Sequence, residues 1–218
     1  MKFLITAGPT REPIDPVRYL SNRSSGKMGY AMAEAALVAG HEVTLISGPV
    51  SLLALPLAQT ISVVTSDQMH DAVHQHLAGC DVLVMCAAVA DYKPAKASPS
   101  KIKKGAAGLI LELVPTRDIL SSIASPDRNL LVVGFAAETN DLEENARKKL
   151  RAKNCDMVVG NDVSRAETGM ESDDNEVTIF FRNGEITKIP RDSKTNIATQ
   201  LIKIIANARE KRLTKKTW

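Results

Sequence analysis

Three observations predict an α/β fold built on a doubly wound, mostly parallel sheet with helices on both faces. Short, continuously apolar runs recur along the chain: KFLITA (2–7), EVTLIS (42–47), the start of DVLVMCAAVAD (81–91), NLLVVGFAAE (129–138) and CDMVVGND (155–162). Runs without alternation suit strands buried on both faces. Segments of helical periodicity fall between several of them, and connections of that length imply parallel neighbours. Several runs end in glycine or polar residues, which puts chemistry at the carboxyl ends of the strands, where open α/β sheets bind ligands. At 218 residues the chain suits one sizeable core, so a single domain over 1–218 is expected.

The first strand is cut by Gly8-Pro9, and the following stretch to Ser25 reads as one long loop with three prolines. Loops of that length in a compact domain are usually functional. Residues 26–39 follow with apolar positions Met28, Ala31, Met32, Ala35 and Val38 at helical spacing, Ser24 or Ser25 as N-cap and Gly40 as the stop. After the 42–47 strand, ISVVT (61–65) reads as a strand and 66–79 as a capped helix. LILELV (109–114) alternates and reads as a shorter added strand, and 118–124 as a short helix. The 129–138 strand leads to an amphipathic helix (141–154) and the 155–162 strand. Two alternating runs around Asn183-Gly184 read as a hairpin over 175–190, and residues 193–212 as a long closing helix.

Composition narrows the function. The net charge is +3, and without the basic tail 207–218 the body is near neutral. Aromatics make up only 4% of the chain, so the body lacks the basic, aromatic-studded surface expected for nucleic acid. The basic tail reads as a solvated helix end. No stretch approaches the roughly twenty apolar residues of a membrane span, and three cysteines without a CxxC suit a reducing, cytoplasmic setting.

Two motif readings fail. Gly26-Lys27 is followed by Met28, and Gly8 stands too far upstream for a P-loop. A nicotinamide enzyme is the alternative class. The first strand-to-helix turn has no G-x-G-x-x-G, and Pro94 would break the helix that a Tyr92–Lys96 pair needs. A third reading takes the strand ends together. Ser24, Ser25 and Gly26 offer N–H groups at a helix start, a natural anion site, and Lys101, Lys103 and Lys104 can bring positive charge to a polyphosphate.

The motifs GPTREPIDPVRYLSNRSSGKMG, AAVADY, KIKK, VGFAAETN and ND, in that order, make the chain similar to the phosphopantothenoylcysteine synthetases, in their CTP-using bacterial form. The resemblance implies a Rossmann-like fold and a ligase of coenzyme A biosynthesis. Such an enzyme joins 4′-phosphopantothenate to L-cysteine through an acyl-cytidylate, with CTP and Mg²⁺. It implies a homodimer, to which the 175–190 hairpin is an expected contributor, and a flavin-dependent decarboxylase, separate or fused. The flavin activity itself is not expected in this chain.

Position by position, Asn22 matches an asparagine that holds the acyl-cytidylate, Arg18 a functional arginine of the same loop, and Lys101 a lysine of the second half-reaction. Met85, Cys86, Ala87, Asp91, Phe135, Lys149 and Lys153 match nucleotide-contacting positions. The segment VPTRDIL (114–120) departs from the pattern Val-Lys-Asn-Pro-Asp-Ile, so Arg117 becomes the candidate for the missing cation beside Asp118, Ile119 and Leu120. No metal ligand is assigned.

Overall fold

The computed structural model describes residues 1–105, 108–123, 129–164, 169 and 171–215, and the side chains only as far as 212. The last residue of the 118–124 helix and the end of the basic tail therefore lie outside the described residues.

In chain order the strands are β1 (Lys2–Ala7), β2 (Arg11–Pro13), β3 (Tyr19–Ser21), β4 (Glu42–Ser47), β5 (Gln59–Ser62), β6 (Val82–Met85), β7 (Tyr92–Pro94), β8 (Leu113–Pro115), β9 (Leu131–Glu138), β10 (Met157–Asp162), β11 (Asp174–Phe181) and β12 (Ile186–Ser193). The helices are α1 (Lys27–Val38), α2 (Ser66–His76), α3 (Ile119–Ile123), α4 (Leu142–Ala152) and α5 (Lys194–Lys215). Eight strands form the central sheet in the order β12-β11-β10-β9-β6-β1-β4-β5. All neighbours from β10 to β5 pair in parallel, and β11 and β12 extend the sheet antiparallel. The chain runs outward from β1 to β4 and β5, then returns to lay β6 on the other side of β1. That reversal opens a crevice at the carboxyl ends of β1 and β6.

Strand alternation splits the core in two. Phe3, Ile5 and Ala7 of β1 face α1 and α5, whose Met32, Ala36, Ile197 and Leu201 complete one core. Leu4 faces the other layer, where Met69 and Val73 of α2, Ile119 of α3 and Leu150 of α4 pack. Helix α1 presses close on β1: a Cβ on Gly29 would sit 2.5 Å from the Ala7 Cβ. Its buried stripe is Gly29, Met32, Ala33 and Ala36, while Val38, expected inward, is 84% exposed. The helix ends in a Schellman turn, with Gly40 N–H donating to Leu37 O and His41 N–H to Ala36 O.

The structure corrects several expectations. The N-cap of α1 is Gly26, in the left-handed region at φ 79°, and not a serine. The loop 8–25 is a folded ribbon, because β2 and β3 pair antiparallel within it. β5 starts two residues early and stops at Ser62, because Thr65 and Gln68 form a capping box that opens α2. β4 and β5 are parallel although no helix lies between them. Of the expected 109–114 strand only Leu113 and Val114 are extended, in β8. It pairs with β7 outside the main sheet, and Ile110 is 93% exposed. Tyr92 lies in β7, so the helix that would stack Tyr92 on Lys96 does not exist.

Candidate active site

A cleft of about 590 Å³ lies over the carboxyl ends of β6, β9 and β10. Met85, Cys86 and Ala87 continue β6 into its floor, and Phe135 to Glu138 end β9 beside them. The segment Asn22–Gly29 forms one wall and Thr116–Leu120 the other, with Asp91 at the exposed rim. The first N–H groups of α1 have no partner within the helix, and no acidic residue occupies that first turn. The end of α1 is therefore a positive, donor-rich surface facing the cleft. Asn22 ties this wall to the floor through Nδ2, which donates to Ala88 O at 2.9 Å.

The cleft is rich in lysine. Lys149 donates from Nζ to Phe135 O at 2.5 Å. Burial pushes its ammonium below the ordinary lysine range, against the pull of Cys155, Glu138 and Asp91. Lys153, four residues on along the helix and its C-cap, pairs with Asp118 and reaches Ser121 Oγ at 3.2 Å. Burial pushes the Asp118 carboxyl up, but Lys153 and the Ser121 N–H outweigh it and hold it below its usual value. Lys27 pairs with Asp173 at 2.6 Å, and buried Lys194 donates to Ser172 O. Burial drives the Cys86 thiol up to about 12, so it stays protonated and is no nucleophile.

Of the sequence-derived site residues, Asn22, Met85, Cys86, Ala87, Asp91, Arg117, Asp118, Ile119, Leu120, Phe135, Lys149 and Lys153 all line this cleft. Ile119 and Leu120 are buried in the core beside α2, so their backbone is what they offer. Arg117 stands at the edge of the cleft. Its guanidinium turns to α2, meeting Asp67 at 3.0 Å and Asp71 at 2.9 Å, so two carboxylates neutralise it. Arg18 and Lys101 do not line the cleft: Arg18 is bound to Asp15, and Lys101 is exposed on the neighbouring loop. Sequence reasoning missed Lys194 and Asn175, which lie far along the chain in an ordinary amphipathic helix and strand. A second hollow of about 420 Å³ backs the Asn22–Lys27 segment and is lined by Arg11, Arg23, Tyr19, Val50 and Leu52.

A parallel sheet whose order reverses, a helix N-terminus and four lysines around the cleft define an α/β protein with a cationic crevice at its strand ends. The sequence profile of the DNA/pantothenate metabolism flavoprotein C-terminal domain family matches residues 1–208, and the chain belongs to that family. It is 47% identical over 204 residues to the coenzyme A biosynthesis bifunctional protein CoaBC of Bacillus subtilis, covering 93% of this chain and 50% of that protein. The Escherichia coli CoaBC is 47% identical over 189 residues, covering 85% and 47%. The chain thus spans about half the length of the curated relatives it matches. A crystal structure of a CoaBC C-terminal domain superposes with a TM-score of 0.82 at 41% identity, covering 96% of each chain. The Streptococcus pneumoniae DNA/pantothenate metabolism flavoprotein shares the fold at 24% identity, with a TM-score of 0.81, covering 95% of this chain and 99% of that one.

Proposed function

We propose that this domain is a phosphopantothenate–cysteine ligase that activates 4′-phosphopantothenate with CTP, in the cytoplasmic supply of coenzyme A. The observation that carries the reading is geometric. Asn22, Ser24 and Lys27 line both the lysine-rich cleft and the second hollow. A nucleotide in the first and an acid in the second would meet at this segment. Relatives named for coenzyme A biosynthesis support the choice of acid.

In the first step a carboxylate oxygen attacks the α-phosphorus of CTP, the bond to the β-phosphate oxygen breaks, and diphosphate leaves. The α1 N-terminus, Lys27 and Lys194 face the accumulating negative charge, and donors fixed before the reaction need no reorganisation. The cytosine lies against Ala87 and Phe135, with Lys149 and Lys153 toward the ribose and phosphates. In the second step the cysteine amine attacks the acyl carbon, loses a proton, and CMP leaves. Asn22 holds the acyl-cytidylate. Its amide donates without competing as a nucleophile.

No cluster of three metal-ligating side chains occurs among the described residues, and Asp91 is an exposed carboxylate at the rim. These residues fit Mg²⁺ arriving with the triphosphate, where it neutralises phosphate charge. Lys101 lies outside its own cleft, which fits a homodimer in which it serves the other subunit's site. A decarboxylase, fused or separate, would consume the product.

The test supplies purified protein with phosphopantothenate, cysteine, Mg²⁺ and either CTP or ATP. CMP formed only with CTP and both co-substrates, and diphosphate limited to about one per site when cysteine is left out, is the expected result. No turnover of either nucleotide overturns the reading and returns attention to reduced nicotinamide cofactors.

A further inference from the structure

Ile102 sits inside the run Lys101-Ile102-Lys103-Lys104, and both of its backbone polar groups are gripped by one ion pair. Asp15 Oδ2 accepts the Ile102 N–H at 3.1 Å, and Arg18 Nη2 donates to Ile102 O at 2.9 Å. The pair is itself fixed. Arg18 Nε donates to Asp15 Oδ2 at 3.0 Å, and Asp15 Oδ1 accepts the N–H groups of Val17 at 2.8 Å and Arg18 at 2.9 Å. The Asp15 side chain has no solvent exposure, yet it meets a loop whose three lysines are exposed. A second tie runs alongside, from Ser98 N–H to Ile14 O at 2.8 Å.

A carboxylate and a guanidinium presenting an acceptor and a donor to one residue imitate the edge of a strand. They fix that residue's position and the direction in which its neighbours leave. Asp15 makes more bonds than a turn needs: two to the turn's own N–H groups, and one to a residue remote in sequence. The Arg18 guanidinium holds the Asp15 carboxyl far below the usual range, so the grip stays charged across physiological pH.

We propose that Asp15 is a positioning residue for Lys101, acting through the backbone of Ile102 with Arg18 as the second jaw. This rests on the ligase reading for its catalytic consequence, but the grip itself does not.

Two measurements on the full chain separate the two. Amide exchange by NMR compares the wild type with Asp15→Asn. The Ile102 amide is expected to exchange about tenfold faster in the variant, with the amides of β1 and β9 unchanged. An unchanged Ile102 amide overturns the proposal, whatever the activity. Ligase kinetics then compare Asp15→Asn, Lys101→Gln and the double variant. The expected result is a kcat about tenfold lower in Asp15→Asn, an unchanged KM for CTP, and no further loss when Asp15→Asn is added to Lys101→Gln. Additive losses overturn the proposal, because Asp15 would then act on something besides Lys101. Should Asp15→Asn fold poorly by circular dichroism, Asp15→Glu keeps the charge that pairs with Arg18 but shifts the carboxylate away from the Ile102 N–H. It must show the same non-additivity with Lys101→Gln. If the wild type turns over no nucleotide, the ligase reading fails and the exchange experiment alone decides the grip.

Discussion

Replacing Lys149 by methionine should separate stability from ligand binding, with opposite signs. Lys149 places an ammonium in a half-buried position beside β9, where it donates to Phe135 O at 2.5 Å. Burial disfavours the charge, which is why its protonation is weakened. Methionine keeps the length, removes the buried charge, and leaves Phe135 O beside a cleft that water enters. Stability is therefore expected to hold steady or rise by about 1 kcal/mol. A lysine contact to phosphate or ribose in this setting contributes about 2–3 kcal/mol, so the nucleotide Kd should weaken about 30- to 150-fold. Urea denaturation reads the first quantity, and calorimetric titration with a non-hydrolysable CTP analogue reads the second. A stability loss above about 1 kcal/mol with unchanged affinity would show that Lys149 is a strut for β9 and not a ligand contact.

Gly29→Ala should destabilise by about 1–2 kcal/mol in urea, because overpacking against Ala7 outweighs the helix-propensity gain; a more stable variant would refute the close approach of α1 to β1. Arg209, 2% exposed, holds Asp81 and the carbonyls of Asp81 and Asn129, so Arg209→Met should cost about 2–3 kcal/mol; a neutral result would mean that these groups are satisfied without it. Lys93 holds the Asp67 carboxyl below its ordinary 3.8, with Arg117 adding to it against the opposing effect of burial. That stabilisation is complete above pH 3.8 and lost as the pH falls through the lower folded-state value. The stability gap between wild type and Asp67→Asn should thus be constant above pH 5 and shrink as the pH falls below 3.8, and a gap that does not shrink on acidification below 3.8 would contradict it. Because Lys149 loses its proton below the ordinary 10.5, nucleotide affinity should fall at lower pH in the wild type than in Lys149→Arg, and coincident profiles would count against a charged Lys149 contact.

The strands buried on both faces were legible because nothing else in a globular chain demands an unbroken apolar run, as Val82–Met85 and Leu131–Val133 show. The hairpin was legible from Asn183-Gly184, although the loop is longer than two residues: Gly184 sits at φ 91° and its N–H returns to Phe181 O. The ribbons β2–β3 and β7–β8 were not legible, because strands of three residues carry no period to read. The cleft residues came from motif resemblance and not from periodicity. The ion pairs of Arg117 with Asp67 and Asp71 were not legible either, because a charge in a loop does not announce which carboxylates the fold brings to it. Lys194 escaped because its burial depends on strands and loops that only the tertiary fold gathers.

The central position of β6 has a consequence for how the polypeptide emerges from the ribosome. One side of Val82–Met85 is covered as soon as β1 is available, since Phe3 pairs with Val82. The other side stays bare until Leu131–Gly134 arrive to cover it. During that interval the nascent chain displays an apolar parallel edge, the kind of surface that recruits other chains. Any fragment that stops before β9 keeps that edge permanently. Shortened versions ending there should precipitate, whereas those that run on through β9, β10 and both strands of the β11–β12 hairpin reach a sheet whose last edge carries Lys188, Pro190 and Arg191.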